Sequence, residues 1–123
     1  MIVDAIVQRG YFMNTDTNAT NAGPTRTDRD IRPKPALFNL GAIVATPGAL
    51  DLLDRTGTNA TVLLTRHLSG DFGELDDADI KENRHAIDNG YRVLSSYRID
   101  GAKIWLITEA DRSVTTLLLP SEY

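Results

Sequence analysis

The residues best suited to acid–base chemistry lie in the segment 66–71, which reads Arg-His-Leu-Ser-Gly-Asp. Imidazole titrates near neutral pH, so His67 with Arg66 and Asp71 close by is a candidate general acid or base. The structural alternative is a buried, hydrogen-bonded histidine, because His67 falls on the apolar face of a predicted helix. A metal pair of His67 and Asp71 is disfavoured, since Gly70 interrupts the helix between them.

A second candidate site follows in the polar segment 108–113, Thr-Glu-Ala-Asp-Arg-Ser. Its Arg112, together with the hydroxyl of Thr115 or Thr116, has the chemistry to hold a phosphate group or a partner's backbone. Turns are also polar simply because they face water. If the fold brings Arg112 and one of these threonines to His67, the two candidates become one site.

A third candidate is an apolar strip on the last strands, formed by Leu94, Trp105 and Ile107 and edged by Arg92 and Arg98. An uncovered strip of this kind on a small domain marks a contact surface. Tryptophan and arginine are also the side chains typical of energetic anchors in interfaces. The alternative is that the N-terminal residues pack over the strip and hide it.

The elements that must position these residues indicate an α+β domain. The pattern predicts a strand over 36–45, which Gly41 bends, and then two or three short helices. Caps and glycines place these helices from Thr46-Pro47 to Gly57, from Thr58 or Asn59 to Gly70, and from Asp76 to Asn89-Gly90.

The last third of the chain predicts a three-stranded antiparallel meander. Asp100-Gly101 is a strong signal for a two-residue hairpin turn, and this turn sets Tyr97 opposite Ile104. Because strand residues alternate between faces, Trp105 then lies on the opposite side from Tyr97. We expect the strand over 36–45 to join this meander and the helices to pack on the Tyr97 face.

Composition divides the chain into three parts. Residues 1–13 form an N-terminal extension whose β-branched residues favour a short strand. Residues 14–35 contain one large aliphatic side chain, Ile31, and cannot bury enough apolar surface to offset the entropy of ordering. We therefore expect a flexible polar arm there, followed by a single globular domain over 36–123.

Length and composition exclude several classes of protein. The chain has 123 residues and no cysteine, which rules out disulfide scaffolds, thiolate zinc sites and cysteine nucleophiles. A net charge of −4 disfavours broad nucleic-acid binding. Without a targeting signal or an apolar stretch of about 20 residues, we expect a cytoplasmic protein with no membrane span. The acidic residues of 74–82 lack calcium-loop spacing, and we expect no metal and no cofactor.

Three segments resemble a family of small plasmid- and phage-borne bacterial proteins that are described as plasmid-related. They are residues 45–53 (ATPGALDLL), 66–73 (RHLSGDFG) and 107–123 (ITEADRSVTTLLLPSEY). The resemblance covers residues 36–123, with Phe72 where the family tends to have tryptophan after Gly-Asp. It implies a mobile-element setting and carries no established activity. Small proteins of such elements are often inhibitors of host defence or toxin-like nucleases.

Two functional hypotheses follow from these observations. The first is a binding module that docks on a protein partner, such as a component of a host defence system, with a homodimer also compatible. The alternative is a metal-independent ribonuclease, which rests on fold analogy alone. In that enzyme His67 would be the acid–base group, Arg66 and Arg112 would stabilise the phosphorane charge, and Thr115 or Thr116 would orient the phosphate.

Overall fold

Three helices and a four-stranded sheet make up the fold, which is seen in a computed structural model that describes residues 35–123. The expectations for residues 1–13 and, apart from Pro35, for the polar arm lie outside the described residues. The elements follow the order β1 (Ala42–Ala45), α1 (Pro47–Thr56), α2 (Ala60–Leu68), α3 (Asp77–Asn89), β2 (Val93–Ile99), β3 (Ala102–Thr108), β4 (Val114–Leu118) and a 3-10 turn (Pro120–Glu122).

The helix boundaries follow the capping residues. The Thr46 hydroxyl accepts a hydrogen bond from the Ala49 N–H at 3.2 Å, and Pro47 occupies the first helical position of α1. Gly57 and Gly90 end α1 and α3 in the left-handed conformation, with φ of 68° and 76°. These predicted ends are confirmed. Of the described helices, none has the length and apolar character that crossing a membrane requires.

The predicted hairpin register is also confirmed. Asp100 and Gly101 form the tip with φ of 50° and 84°, so both residues take the positive φ that a type I′ turn requires. Tyr97 lies opposite Ile104 across the two strands, and Trp105 belongs to the other face. We call the face that carries Tyr97 the inner face and the face that carries Trp105 the outer face.

The last three strands form an antiparallel meander as predicted, but the sheet as a whole is mixed and the predicted strand over 36–45 is shorter. The first strand covers only Ala42–Ala45 and pairs in parallel with β4. The strand order is β1-β4-β3-β2. Gly41 turns the chain just before it, with φ of 69°, and a Cβ at Gly41 would come within 2.4 Å of the Arg112 and Ser113 backbone. The parallel direction is allowed because helices separate β1 from the other strands, whereas a tight turn can join only antiparallel ones.

The main core lies between the inner face and the first two helices. Its sheet side is built by apolar residues at alternate positions, and its helical side by one stripe each of α1 and α2. The buried members are Ile43, Ala45, Tyr97, Ile104, Leu106 and Leu117 from the sheet, and Ala49, Leu52, Leu53, Ala60, Leu63 and Leu64 from the helices. A smaller cluster joins α3 to β2 through Phe72, Ala86 and Val93.

The free edge of β2 is closed by residues outside the sheet. The Ser96 N–H donates to the Phe72 carbonyl at 3.1 Å, and the Glu74 N–H donates to the Ser96 carbonyl at 2.7 Å. The buried Asn83 of α3 continues this pattern, since its amide accepts from Leu94 N–H at 3.1 Å and donates to the Leu94 carbonyl at 2.7 Å. Two unpaired backbone groups of an edge strand are thereby satisfied by one side chain.

Replacing Asn83 by aspartate is expected to destabilise the domain. The Asn83→Asp change keeps the shape but sets a carboxylate oxygen against the Leu94 carbonyl, where a donor is needed. We expect the free energy of unfolding to fall by about 1–3 kcal/mol in a urea titration at pH 7. Asn39→Asp, at an exposed position, is the control. Equal stability of the two variants would contradict the role of Asn83.

Candidate functional site

The structure places His67 inside the domain, with both ring nitrogens hydrogen-bonded. Nδ1 lies 2.6 Å from the Ser95 hydroxyl of β2, and Nε2 lies 2.9 Å from the Thr108 hydroxyl of β3. His67, Ser95 and Thr108 all have 0% of their surface exposed. The apolar helical stripe that includes His67 brings the ring against the inner face. This is the buried, hydrogen-bonded histidine that the sequence offered as one of two interpretations.

The hydrogen bonds continue from His67 to the chain segment before β1. The hydroxyls of Thr108 and Thr115 lie 2.7 Å apart, and Thr115 donates to the Leu40 carbonyl at 2.7 Å. Thr115 is also completely buried. The polar chain, by which we mean Ser95, His67, Thr108, Thr115 and the Leu40 carbonyl, therefore joins α2, three strands and the segment before β1. Such networks are stable only when every member is satisfied.

The order of protons along the polar chain follows from its last acceptor, because a carbonyl can only accept. Thr115 donates to Leu40 and must therefore accept from Thr108. Thr108 has then used its single proton, so it accepts from the Nε2–H of His67. In the neutral imidazole, Nδ1 then carries no proton and accepts from the Ser95 hydroxyl. For neutral His67, the polar chain thus selects the tautomer protonated at Nε2.

Burial has a strong effect on the titration of this histidine. It lowers the pKa of His67 to about 4, because an imidazolium at this position would lose its hydration. The ring of Phe38 covers His67 edge to face, with 5.2 Å between the ring centroids. The imidazole is therefore neutral at pH 7, and its two nitrogens are already engaged by hydroxyl groups.

Arg66 and Asp71 form an ion pair of their own on the surface. The guanidinium contacts the Asp71 carboxylate at 2.7 and 3.3 Å and lies 4.5 Å from the centre of the Tyr97 ring. The Tyr97 hydroxyl donates to the Asp71 carbonyl at 2.6 Å. The two ring nitrogens of His67 are hydrogen-bonded to Ser95 and Thr108 instead. The three residues 66, 67 and 71 are thus neighbours in sequence, but the imidazole and the ion pair have separate partners.

Arg112 serves the backbone around it. Its guanidinium donates to the carbonyls of Tyr91, Glu109, Ala110 and Ala86 at 2.7, 3.1, 3.3 and 3.2 Å. These bonds tie the turn between β3 and β4 to the end of α3. The guanidinium also lies 5.6 Å from the centre of the Phe38 ring. Phe38 thus has both His67 and Arg112 as neighbours.

The two candidate threonines lie on opposite faces of β4. Thr115 reaches the inner face and shares the Thr108 hydroxyl with His67, whereas Thr116 pairs in register with Ile107 on the outer face. The structure thus brings His67 and Thr115 together inside the core. Strand alternation could have excluded one of the two threonines, but it could not say which.

On the outer face, Trp105 is half-buried and contacts an aromatic residue that sequence reasoning missed. The ring of Tyr123 meets Trp105 edge to face at 5.7 Å between centroids, and 72% of the Tyr123 surface is exposed. Arg92 donates to the Tyr123 hydroxyl at 3.0 Å and approaches the Glu109 carboxylate at 3.4 Å. Leu94, beside Trp105 on this face, is also half-buried. We call Leu94, Trp105, Arg92 and Tyr123 the Trp105 surface.

The other two residues proposed for this strip have different positions. Ile107 is buried, with 4% of its surface exposed. Arg98 is exposed and pairs with Glu74, with contacts of 3.1 and 3.2 Å between its guanidinium and the carboxylate. Neither is therefore included in the Trp105 surface.

Glu122, which sequence reasoning also missed, holds the C-terminal turn in place. Its carboxylate accepts from the Thr46 hydroxyl, from Gly48 N–H at 3.0 Å and from Leu119 N–H at 2.9 Å. Burial alone would raise the pKa of Glu122, but these hydrogen bonds outweigh it and the pKa is lowered. Gly48 is needed here because a Cβ would come within 2.6 Å of the carboxylate. The turn in this position sets Tyr123 against Trp105.

Among residues 35–123, no group of three metal-ligating side chains is close enough to hold an ion. Two of the acidic residues around the start of α3 have structural partners. Asp76 accepts from the Asp79 N–H at 2.9 Å and caps the helix, and Glu74 pairs with Arg98. The position of these charges at a helix N-terminus is the one that the helix dipole favours.

The polar chain predicts different outcomes for two adjacent threonines. Thr115→Val removes the donor to Leu40 and the acceptor for Thr108, and leaves both unsatisfied. We expect a loss of about 1–3 kcal/mol in the free energy of unfolding. Thr116→Val, the matched control on the outer face, should change it by less than about 0.5 kcal/mol. Equal losses in urea titrations of the two variants would contradict the assignment.

The chain has no match among protein-family models, curated proteins or solved structures. The resemblance to small proteins of plasmids and phages therefore stays a prediction.

Proposed function

We propose that this protein is a non-catalytic binding module that docks onto a protein partner through the Trp105 surface. The observation that carries this proposal is the aromatic pair of Trp105 and Tyr123 at the surface, held by Arg92. An exposed tyrosine on a half-buried tryptophan offers a large apolar contact area with little side-chain entropy to lose. Tryptophan, tyrosine and arginine are the types most enriched at binding hot spots.

The charges at this surface favour a protein partner with apolar side chains. The Arg92 guanidinium lies against both the Glu109 carboxylate and the Tyr123 hydroxyl, so much of its charge and donor capacity is used within the domain. What is left to a partner is mainly the aromatic area of residues 105 and 123. The net charge of −4 would in addition favour approach to a basic partner.

The buried position of His67 supports binding over the ribonuclease alternative. A general acid or base must come within hydrogen-bond reach of the substrate proton it transfers. His67 has no exposed surface, and both of its nitrogens already have partners. Arg112, the proposed phosphate ligand, is committed to four carbonyl groups. No described residue gives the ribonuclease hypothesis a comparable argument.

The resemblance to proteins of plasmids and phages narrows the proposal further. Under it, the protein is an accessory protein of a mobile element that acts in the cytoplasm, and its partner is a component of a host defence system. This narrower form depends on the resemblance alone. The proposal of docking through the Trp105 surface does not depend on the resemblance. A second copy of this chain as the partner would also agree with it.

The proposal predicts that Tyr123→Ala weakens binding. The change removes the exposed ring on Trp105, and we expect the dissociation constant to rise about tenfold or more, as for a hot-spot residue. The partner is first captured with the full chain from a bacterial lysate, then purified and titrated by calorimetry. Val62→Ala, which removes a side chain that is 56% exposed on α2, is the matched control and should bind like the wild type.

Two results would overturn the proposal. One is a purified partner that binds the Tyr123→Ala variant as tightly as the wild type. The other is cleavage of RNA by the wild-type chain that is lost in His67→Gln, which would favour the ribonuclease. If the captured partner proves to be a second copy of this chain, the result would support the homodimer.

A further inference from the structure

We infer that residues Leu37–Leu40 form a strap that closes over His67 and is released when the imidazole takes up a second proton. The inference goes beyond the proposed binding function and does not depend on it. It rests on the proton order of the polar chain and on the few hydrogen bonds that hold this segment against the domain.

The strap is the weakest of the elements that enclose His67. Helix α2 and strands β2 and β3 are held by regular backbone hydrogen bonds and by the core. The strap, in contrast, is irregular and is tied by the Leu37 N–H to the Leu68 carbonyl at 3.0 Å and by the Leu40 carbonyl to Thr115. Leu37 is 41% exposed. Phe38 and Leu40 pack against the two core clusters, but a segment held by so few hydrogen bonds is among the first to open locally.

Phe38 is the part of the strap that seals the imidazole. Its ring meets His67 at 5.2 Å between centroids, and the Arg112 guanidinium lies on it at 5.6 Å from the ring centre. Phe38 therefore neighbours both a fixed positive charge and a group that becomes positive on protonation. Opening of the strap would give His67 water in place of this ring.

A second proton on His67 finds no counter-charge in its surroundings. The groups in contact with the ring are the hydroxyls of Ser95 on β2 and Thr108 on β3 and the phenyl ring of Phe38, none of which carries a charge. The titratable and charged groups nearby on the packed elements are Tyr97 of β2, Arg66 of α2 and Arg112. Burial raises the pKa of Tyr97 to about 12, so it stays neutral in acid. Arg66 and Arg112 are cations, and Arg66 is held by Asp71.

The proton order adds a specific conflict at Nδ1. In the neutral state Nδ1 accepts from the Ser95 hydroxyl at 2.6 Å. When Nδ1 carries a proton, it must donate to the same oxygen, and the Ser95 proton has to leave this short contact. The bonds from Nε2 to Thr108 and onward keep their direction. Protonation thus disrupts one end of the polar chain and places a charge beneath Phe38. Release of the strap lets water hydrate the imidazolium.

The sign of the pH dependence follows from the two states of His67. The closed state has the lowered pKa of about 4, whereas in the open state the imidazole returns toward its ordinary value of 6.5. The open state therefore binds more protons between these two values. Opening becomes more favourable as the pH falls through this range, by about tenfold for each pH unit, and it levels off below the lower value.

Hydrogen exchange in the full chain tests the strap. The Leu37 amide, which donates to Leu68, reports on the strap, and the Thr46 amide, which donates to Leu117, reports on the sheet. Corrected for intrinsic exchange, the protection of Leu37 is expected to fall about tenfold per pH unit from pH 6.5 to 4. The protection of Thr46 should stay constant while that of Leu37 falls. The Phe38 ring resonances should shift over the same range.

Two variants separate His67 from other titrating groups. His67→Gln keeps a neutral polar side chain, and in it the protection of Leu37 should not depend on pH. His85→Gln, which removes the exposed histidine of α3, is the matched control and should behave like the wild type. The inference is overturned if His67→Gln retains the pH dependence, if the wild type shows none, or if Leu37 and Thr46 lose protection together.

If His67→Gln does not fold, nitrogen NMR of the wild-type imidazole decides. Below pH 7 the shifts must first report a proton at Nε2 alone, and the second proton must appear together with the loss of Leu37 protection. A ring that gains its second proton while Leu37 stays protected would overturn the inference.

Discussion

The polar chain through His67 is the interaction on which the rest of the structure depends. It joins α2 to β2, β3 and β4 and ends on the backbone of the strap, so five parts of the fold share one set of hydrogen bonds. The four side chains of the polar chain are completely buried, where an unsatisfied polar group is costly, and their proton order leaves none without a partner. The position of α2 on the sheet is therefore set by directional hydrogen bonds as well as by apolar contacts.

Side chains complete the backbone where the regular elements stop. Asn83 pairs with both polar groups of Leu94 at the edge of β2, and Arg112 binds four carbonyls in the β3–β4 turn and at the end of α3. Glu122 does the same at the start of α1, where its carboxylate meets the positive end of the helix dipole. In each case a polar side chain satisfies backbone groups that the regular elements leave unpaired, and Arg112 does so although its sequence context suggests a binding site.

The contrast between the two faces of the sheet bears on function. On the inner face, polar groups pair with each other and are closed to solvent. On the outer face, Trp105 and Tyr123 are accessible, and Arg92 fixes the tyrosine. Catalysis needs polar groups that a substrate can reach, and those of the inner face are closed to solvent. Docking needs an accessible aromatic surface, such as that of the outer face. This distinction favours binding and depends on which strand residue faces which way.

The sequence alone determined what local interactions control. The helix ends at Thr46, Gly57 and Gly90 and the hairpin tip at residues 100–101 could be predicted, because caps and turns involve neighbours in the chain. Strand alternation then separated Tyr97 from Trp105. The α+β class followed, but the parallel placement of β1 did not, since strand direction depends on how the helices cross the sheet.

Only the tertiary structure decided which polar residues meet. The two partners of the His67 ring lie 28 and 41 residues further along the chain, so no spacing in the sequence could identify them. Its neighbours Arg66 and Asp71, five residues apart, pair with each other instead. Tyr123 reaches Trp105 because Glu122 folds the last turn back onto α1. Side-chain partners over such separations are set by the packing of whole elements, and a linear pattern records only the face on which each residue lies.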